Sequence, residues 1–305
     1  MVDVIQRTAE EHDGKACVVT VDRLKDLKND IEAFSHEQEL NGFQKYIVND
    51  MYQFNLSPVD FPIRSVIVIA SKGPAYAHVS FDWQGRKIPA VSFARAYPGR
   101  AGAFTETKRY LIECLEPMGY HIEPTGTLPL KRLAVCGGLA QYGRNNITYV
   151  GGMGSFHTLA AYFTDVPCEE DNWRNVTQMD CCDGCLACLG NCPTGALRED
   201  RFLIDTERCL SFFNEFPGDF PEWLPRSAHH CLYDCLMCQN VCPANRERIE
   251  DVIGLIEFDG PETEMLLAGT PMPELPAPLQ AKVKFLGMDQ WYAAIPRNML
   301  VLFEQ

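Results

Sequence analysis

The chain has 305 residues and a net charge of −14, from 41 acidic and 27 basic residues. Such an acidic protein offers no basic face for a phosphate backbone, so its composition disfavours a nucleic-acid substrate. No run approaches the roughly 18 apolar residues of a membrane helix, and the fourteen cysteines lie in a chain too long for a small secreted disulfide scaffold.

Residues 1–175 predict an α/β or α+β domain. A continuous apolar run at residues 66–70 is typical of a buried strand, and residues 156–163 suit a second core strand. Residues 103–118 have the periodicity of a helix that ends before Gly119, with an apolar side made of Phe104, Tyr110, Leu111 and Leu115. No apolar signal segment follows Met1, so we expect a cytoplasmic protein with reduced thiols.

Residues 176–245 contain the most specific motif. The bacterial ferredoxin pattern C-x2-C-x2-C-x3-C-P is matched by Cys182, Cys185, Cys188, Cys192 and Pro193. A partial copy follows at Cys235, Cys238, Cys242 and Pro243. Zinc sites use paired C-x2-C units rather than three cysteines followed by C-P, so zinc is the weaker interpretation. The two runs predict two 4Fe–4S clusters in a loop-rich, ferredoxin-like domain with short helices.

The spacing assigns most ligands of these clusters. In two-cluster ferredoxins the fourth cysteine of each run binds the other cluster, which gives the first cluster Cys182, Cys185, Cys188 and Cys242. The second cluster takes Cys192, Cys235 and Cys238, and it lacks one ligand because no cysteine lies three residues before Cys235. Cys209 and Cys231 both remain candidates, and spacing alone does not separate them.

Residues 246–305 form a C-terminal extension that we expect to pack on the core. The extension contains an apolar segment at residues 249–256 and a closing apolar segment at residues 299–303. Between them lies a Pro-rich linker with Pro261, Pro271, Pro273, Pro276 and Pro278.

The sequence around the cysteines resembles the epoxyqueuosine reductases. The similar segments are residues 182–197 (CDGCLACLGNCPTGAL), 205–211 (DTERCLS) and 235–243 (CLMCQNVCP). Further likeness lies at residues 63–70, 133–146, 154–165 and 295–302. In that family the segment D-x-x-R-C-I-S supplies the fourth ligand, so the resemblance implies Cys209 for the second cluster.

The resemblance also implies a cobalamin enzyme. That family and the related reductive dehalogenases hold a base-off corrinoid between an α+β domain similar to flavin nitroreductases and a two-cluster domain. Electrons pass through the clusters to cobalt, and 4Fe–4S centres extend to about −700 mV, which is low enough for this step. We therefore expect an α+β fold with domains at 1–175, 176–245 and 246–305. A low-potential ferredoxin or flavodoxin would be the electron donor, and none of the seven histidines lies in a D-x-H-x-x-G cobalt-binding pattern.

One segment departs from the family. Epoxyqueuosine reductases carry R-Y-A-x-G-R-D-Y-H, whose Asp is assigned as the proton donor, whereas residues 95–103 here are RAYPGRAGA, with Ala101 at the acid position. An alanine side chain donates no proton, so epoxyqueuosine reduction is disfavoured. The acidic charge, and a chain that ends where many relatives add helical repeats for tRNA, disfavour a tRNA substrate as well.

Several residues are candidates for the chemistry. Tyr97 lies beside the lost acid and is the candidate proton donor, with a packed core tyrosine as the alternative. Glycines allow backbone to approach a flat macrocycle, so the predicted cobalamin contacts are Arg100, Gly138, Tyr142, Gly143, Arg144 and Asn145. His157 lies on an apolar run and is interpreted as a core histidine, whereas His229 and His230 are candidates for tuning a cluster.

Three functions are compatible with these patterns. The favoured one is a cobalamin-dependent iron–sulfur reductase that acts on a small-molecule or protein-bound substrate rather than on tRNA. The alternative is a two-cluster electron-transfer protein, or a corrinoid-protein reductase, without substrate chemistry of its own. Epoxyqueuosine reduction with a different proton donor is the third.

Overall fold

The computed structural model describes residues 1–56, 58–94, 102–248 and 252–305, with the side chain of residue 94 excepted. The α-helices are α1 Val2–Glu11, α2 Arg23–Glu37, α3 Gly42–Tyr46, α4 Ala103–Leu115, α5 Leu130–Cys136, α6 Ala187–Gly190, α7 Leu210–Glu215, α8 Met237–Asn240, α9 Gly260–Leu267, α10 Ala277–Phe285 and α11 Ile295–Phe303. The strands are β1 Gly14–Thr20, β2 Ser65–Lys72, β3 Ala75–Trp83, β4 Arg86–Ala94, β5 Ile122–Thr125, β6 Gln141–Tyr142, β7 Thr148–Tyr149, β8 His157–Thr164 and β9 Val252–Phe258.

The chain divides into two compact units that do not follow the predicted order of domains. The first unit comprises residues 1–73 and 100–185, and the second comprises residues 74–99 and 186–305. Strand pairing explains the assignment of residues 74–99, because β3 pairs with β4 on one side and with the distant β9 on the other. A pattern read along the sequence does not reveal such a long-range partner.

The first unit is an antiparallel sheet with helices packed on it. Its strand order is β1-β2-β8-β5, with β2 and β8 in the middle. The apolar run predicted as a strand is β2, whose residues 66–70 are all 0% exposed. Residues of α1 and α4 complete the core, which contains Ile5, Ala9, Leu111 and Leu115 beside Ile67, Ile69 and Tyr162. The central strands β2 and β8 are therefore the part of the sheet on which the helices of this unit pack.

The second unit combines a three-stranded sheet with the cysteine-rich segment and the C-terminal helices. The sheet order is β4-β3-β9, with a parallel β3–β9 pair. The Phe81 and Phe258 rings stack at 4.7 Å between centroids, and Phe303 of α11 lies 5.4 Å from Phe81. A second cluster of buried residues, Leu210, Leu224, Ala228 and Cys235, lies in the cysteine-rich segment. The end of the chain thus packs against the sheet of its own unit.

Most predicted elements are confirmed, with one error of detail. The predicted strands correspond to β2 and β8, and the predicted helix corresponds to α4 with a 3-10 turn, Glu116–Met118, before Gly119. Gly119 has φ 79°, a left-handed conformation that favours glycine at a helix end. Phe104 was expected on the buried side, but it is 54% exposed because it lies in the first turn of α4, at the margin of the core.

The described part of the chain contains no helix that is both long enough and apolar enough to cross a membrane. The fold as a whole is a mixed α+β fold, and its cysteine-rich segment has short helices joined by loops, as the sequence predicted.

Candidate iron–sulfur site

The two cysteine runs share two features of local structure, although Leu186 has φ −116° where the corresponding Leu236 has φ 54°. In each run a short helix begins two residues after the first cysteine of C-x2-C, α6 after Cys185 and α8 after Cys235. The residue before that cysteine is left-handed in both runs, with φ 69° at Gly184 and φ 59° at Asp234. A left-handed conformation is rare for residues other than glycine. The second run nevertheless keeps this backbone turn with Asp234 at the position where the first run has Gly184. The sequence repeat is therefore also a structural repeat.

Three cysteines of the second unit, Cys209, Cys235 and Cys238, have thiols whose pKa is raised by burial and by neighbouring cysteines. Burial raises the pKa of Cys238, and the charges of Cys209, Cys235, Cys192 and Cys188 raise it further. Burial likewise raises the pKa of Cys209 to about 11, with contributions from Cys235 and Cys192. The structure thus brings together the set that sequence and resemblance give to the second cluster: Cys192, Cys209, Cys235 and Cys238. An electropositive cluster would stabilise the thiolates that burial alone disfavours.

Hydrogen-bond donors surround the thiols of this set. Cys209 is the residue before α7, and Ser211 donates to its sulfur from both its backbone N–H and its hydroxyl group. The backbone N–H of Met237 donates to Cys235, and the Thr194 hydroxyl lies 3.8 Å from the Cys192 sulfur. Such donors stabilise sulfur that carries negative charge and raise the potential of a cluster.

Cys231, the other candidate for the missing ligand, has a different environment. Its thiol donates a hydrogen bond to the Asp234 carbonyl oxygen at 3.2 Å, and Asn214 Nδ2 lies 3.8 Å from its sulfur. Asn298 holds the same turn, because its Nδ2 donates to the carbonyl oxygens of Asn214 and Leu232, both at 2.7 Å. A thiol that donates to a carbonyl is protonated, so Cys231 is engaged as a structural residue of this turn.

His230 contacts this turn with both ring nitrogens. Nδ1 lies 2.8 Å from the Ala228 carbonyl oxygen and Nε2 lies 2.6 Å from that of Cys235. Carbonyl oxygens only accept, so both nitrogens donate and the ring is positively charged. Burial opposes that charge, but Cys231 and the two carbonyls outweigh it and raise the pKa of His230 to about 9. His229 and His230 were sequence candidates for tuning a cluster, and the structure places His230 against the backbone of the predicted ligand Cys235.

The four cysteines predicted for the first cluster belong to both units. Cys182 and Cys185 are in the first unit, whereas Cys188 and Cys242 are in the second. Cys182 is buried while its neighbour Cys181 is exposed, which agrees with the x2 spacing that selects Cys182. None of the fourteen cysteines, all of which lie among the described residues, forms a disulfide bond. Among the described residues, no three His, Cys, Asp or Glu side chains are spaced to hold a single metal ion.

The residues predicted to contact cobalamin are engaged within the first unit where they are described. Tyr97 and Arg100 lie outside the described residues, as does Ala101. Gly138 has φ 80°, and a Cβ there would lie 3.3 Å from Asn172 Cβ. A Cβ on Gly143 would lie 2.5 Å from Tyr149 Cε2.

These close contacts explain the two glycines without a bound macrocycle, because a larger side chain would meet neighbouring residues of the protein. Tyr142 is buried, and Asn145 Nδ2 donates to the Tyr149 hydroxyl at 2.9 Å. An open cavity of about 1020 Å³ at the start of α2 has none of the predicted residues in its wall. The thiols of Cys192, Cys209, Cys235 and Cys238 suit one iron–sulfur cluster, whereas a corrinoid fit is not visible in the described residues.

Two half-buried acids, Glu215 and Asp234, lie close to each other and to the predicted ligand Cys235, a feature that no sequence motif indicated. Burial and the nearby Asp234 raise the pKa of Glu215 to about 9, and burial also raises the pKa of Asp234. The pair therefore holds a proton near neutral pH. Acids on α7 and before Cys235 are far apart in sequence, so no spacing motif could have linked them.

Residues 181–245 match the family described as a 4Fe-4S double cluster binding domain. Curated relatives are epoxyqueuosine reductases. That of Staphylococcus aureus is 28% identical over 245 residues, which cover 74% of this chain and 60% of the relative. That of Bacillus subtilis is 34% identical over 186 residues, which cover 51% of this chain and 47% of the relative. The matched segments therefore span about half of these relatives' length.

Solved structures of epoxyqueuosine reductases are similar to this chain in fold. A selenomethionine-labelled epoxyqueuosine reductase superposes with a TM-score of 0.67 at 20% identity, covering 99% of this chain and 80% of that one. An epoxyqueuosine reductase with an epoxyqueuosine-modified tRNA-Tyr stem loop gives 0.64 at 20% identity, with the same coverage. The chain is thus a relative of the epoxyqueuosine reductases, with their fold over nearly its whole length and a 4Fe–4S double cluster binding domain.

Proposed function

We propose that this protein is an oxidoreductase that carries electrons through two 4Fe–4S clusters to a base-off cobalamin and reduces a substrate other than tRNA. The observation that carries the proposal is the group Cys192, Cys209, Cys235 and Cys238, within which burial and neighbouring thiols raise the pKa of Cys209, Cys235 and Cys238. The first cluster would be held by Cys182, Cys185, Cys188 and Cys242. Electrons would come from a low-potential ferredoxin or flavodoxin.

The chain's own residues would prepare the second cluster for electron transfer. Ser211 and Met237 donate hydrogen bonds to ligand sulfurs, the Thr194 hydroxyl lies 3.8 Å from the Cys192 sulfur, and the charged His230 lies against Cys235. Negative charge on the reduced cluster is stabilised by these groups. A bound corrinoid would supply the strongly reducing cobalt chemistry. The likeness to epoxyqueuosine reductases is what supports the inclusion of a corrinoid. Tyr97 stays the candidate proton donor.

A specific observation favours the simpler alternative, a two-cluster electron carrier. Gly138, Gly143 and Asn145 make close contacts with their own unit, and Ala101 stands where the relatives have their acid. A protein that only passes electrons to another protein's cofactor would need neither a corrin platform nor a proton donor.

Cofactor content of the anaerobically reconstituted protein separates these functions. We would measure iron, sulfide and cobalt, and record the visible spectrum after adding cobalamin. About eight irons with one tightly held, base-off corrinoid would support the reductase, and Tyr97→Phe would then test the proton donor. About eight irons without corrinoid binding would support the electron carrier. Protein without iron would overturn both functions.

A further inference from the structure

A tight hairpin in the first unit faces the segment that carries Cys182. Strands β6 and β7 pair antiparallel, Tyr142 with Thr148, and the Gly143 N–H donates to the Ile147 carbonyl oxygen at 2.8 Å. The turn between them is closed by the Asn146 N–H, which donates to the Gly143 carbonyl oxygen at 3.0 Å. A side chain at Gly143 would clash with Tyr149, so this position of the turn requires glycine.

The hairpin also holds the backbone that leads into the cysteine run. The Met179 N–H donates to the Tyr142 carbonyl oxygen at 2.8 Å, and Tyr142 forms an isolated parallel bridge with Gln178. The Cys182 N–H in turn donates to the Met179 carbonyl oxygen at 2.9 Å. A continuous series of backbone hydrogen bonds therefore connects the hairpin to Cys182.

Arg144, at the tip of the hairpin, makes two hydrogen bonds to this single cysteine. Its backbone N–H donates to the Cys182 sulfur at 3.4 Å. Its side-chain Nη2 donates to the Cys182 carbonyl oxygen at 2.9 Å. The guanidinium group is thus fixed to the backbone of a cysteine that the sequence assigns to the first cluster.

One donor of the same side chain has no acceptor. Arg144 Nε is buried and makes no hydrogen bond within the described part of the protein. A buried N–H without an acceptor is costly, and such a group calls for an acceptor that is supplied from elsewhere. Cluster sulfides, and a thiolate ligated to iron, are acceptors of the required kind.

We propose that Arg144 is a positioning residue for the first cluster, which holds Cys182 in place and raises the reduction potential of the cluster that Cys182 binds. The inference rests on the proposed function only in requiring that the clusters form. A 4Fe–4S cluster gains one electron, and hence one negative charge, when an external reductant reduces it. The arginine charge, the backbone N–H and the Nε donor all stabilise that added charge, with Nε bonding to sulfur once the cluster is present.

The test is a pair of arginine variants in the reconstituted, cluster-loaded protein. Arg144→Gln removes the charge and the guanidinium donors but keeps the backbone N–H. Arg174→Gln is the control, because Arg174 also lies in the first unit and donates from Nε and Nη2 to the carbonyl oxygens of Val135 and Ala140, both at 3.4 Å. These bonds go to backbone carbonyl oxygens of residues that are not predicted cluster ligands.

The readouts are iron content and the two midpoint potentials from an anaerobic redox titration followed by EPR. In Arg144→Gln we expect one cluster to be about tenfold harder to reduce, a shift of about −59 mV for a one-electron couple, with the other cluster unchanged. The control should keep both potentials. Loss of about four irons in Arg144→Gln, but not in the control, would equally support the positioning role.

Two results would overturn the inference while leaving the proposed function intact. One is an Arg144→Gln protein with full iron content and two unchanged potentials. The other is an equal shift, or an equal iron loss, in Arg174→Gln, which would indicate a general effect of the first unit's packing. Absence of iron from the unsubstituted protein would instead be a failure of the proposed function. Arg144→Lys adds a further check, since it keeps the charge and should recover part of the shift.

Discussion

At the scale of single residues, Cys209 and Cys231 show how one residue type serves two purposes. Both are buried enough for burial to raise their pKa. Cys209 lies among the other thiols of its set and accepts hydrogen bonds from Ser211. Cys231 donates its proton to a carbonyl within a turn. The contacts, rather than the burial, distinguish a candidate ligand from a structural thiol.

This difference predicts opposite outcomes for two alanine variants. Cys209→Ala should lose the second cluster, so that iron falls from about eight to about four per chain, because a thiolate ligand is missing. Cys231→Ala should keep about eight irons and lose only some stability. Iron and sulfide assays with EPR of the reduced proteins would check both. Iron loss in Cys231→Ala with full iron in Cys209→Ala would exchange the two assignments.

His157 is a half-buried histidine whose ring nitrogens both have hydrogen-bond partners. Its Nδ1 lies 3.1 Å from the Gly154 carbonyl oxygen and must donate, and in the neutral ring Nε2 accepts from the Thr148 hydroxyl group at 3.1 Å. Burial lowers the pKa of His157 from 6.5 to about 4, although the Gly154 bond acts in the other direction. The interpretation of a histidine with satisfied hydrogen bonds agrees with these contacts, although the residue lies at the margin of the core.

The lowered pKa of His157 predicts acid sensitivity. Between pH 6.5 and about 4 the unfolded state binds a proton that the folded state does not, so its contribution to stability is present above pH 6.5 and lost as the pH falls. We expect His157→Gln to show a shallower fall in unfolding free energy between pH 7.5 and 5.5, measured anaerobically with urea. His36→Gln on the exposed surface of α2 is the control, and a wild-type slope in His157→Gln would contradict the prediction.

At the scale of elements, strand β9 is the link that makes residues 74–99 part of the second unit. It pairs in parallel with β3, and its last residue, Phe258, is 0% exposed and stacks on Phe81. Leu255 on the same strand is 60% exposed. One strand thus carries both a core residue and a surface residue, so its contribution to stability is concentrated in Phe258.

Alanine variants of these two residues should differ strongly. Phe258→Ala removes a fully buried aromatic ring and should cost about 3–5 kcal/mol of unfolding free energy. Leu255→Ala removes an exposed side chain and should change it by less than about 0.5 kcal/mol. Denaturant unfolding of the cluster-loaded proteins would measure both values. Similar losses in the two variants would show that β9 contributes through its backbone pairing alone.

At the scale of the whole molecule, the net charge of −14 is the property that bears most on partners. Protein–tRNA association depends on basic groups that replace counterions along the phosphate backbone, and its affinity rises as salt falls. An acidic chain repels the same backbone most strongly at low salt, where screening is weakest. This is a property of the summed charge and needs no particular site.

We therefore predict that the protein does not bind tRNA with a Kd tighter than about 10⁻⁴ M, even at low salt. Fluorescence anisotropy with a labelled tRNA stem loop, over a range of salt concentrations, would check it. An epoxyqueuosine reductase of the kind crystallised with a tRNA stem loop is the suitable positive control. Tight binding that weakens with salt would show a local basic surface that outweighs the net charge.

The sequence by itself determined the features that depend on local spacing. The paired cysteine runs predicted a double-cluster domain, and apolar runs predicted β2, β8 and α4, because periodicity and ligand spacing are properties of neighbouring residues. The choice between Cys209 and Cys231 stayed open on spacing and needed the family resemblance.

The tertiary structure decided what depends on residues far apart in the chain. It placed residues 74–99 with β9, joined Glu215 to Asp234, and directed Arg144 to Cys182. Each of these contacts joins positions separated by between about twenty and nearly two hundred residues. Hydrogen bonds, burial and charge coupling act through space, so only the folded chain could reveal them.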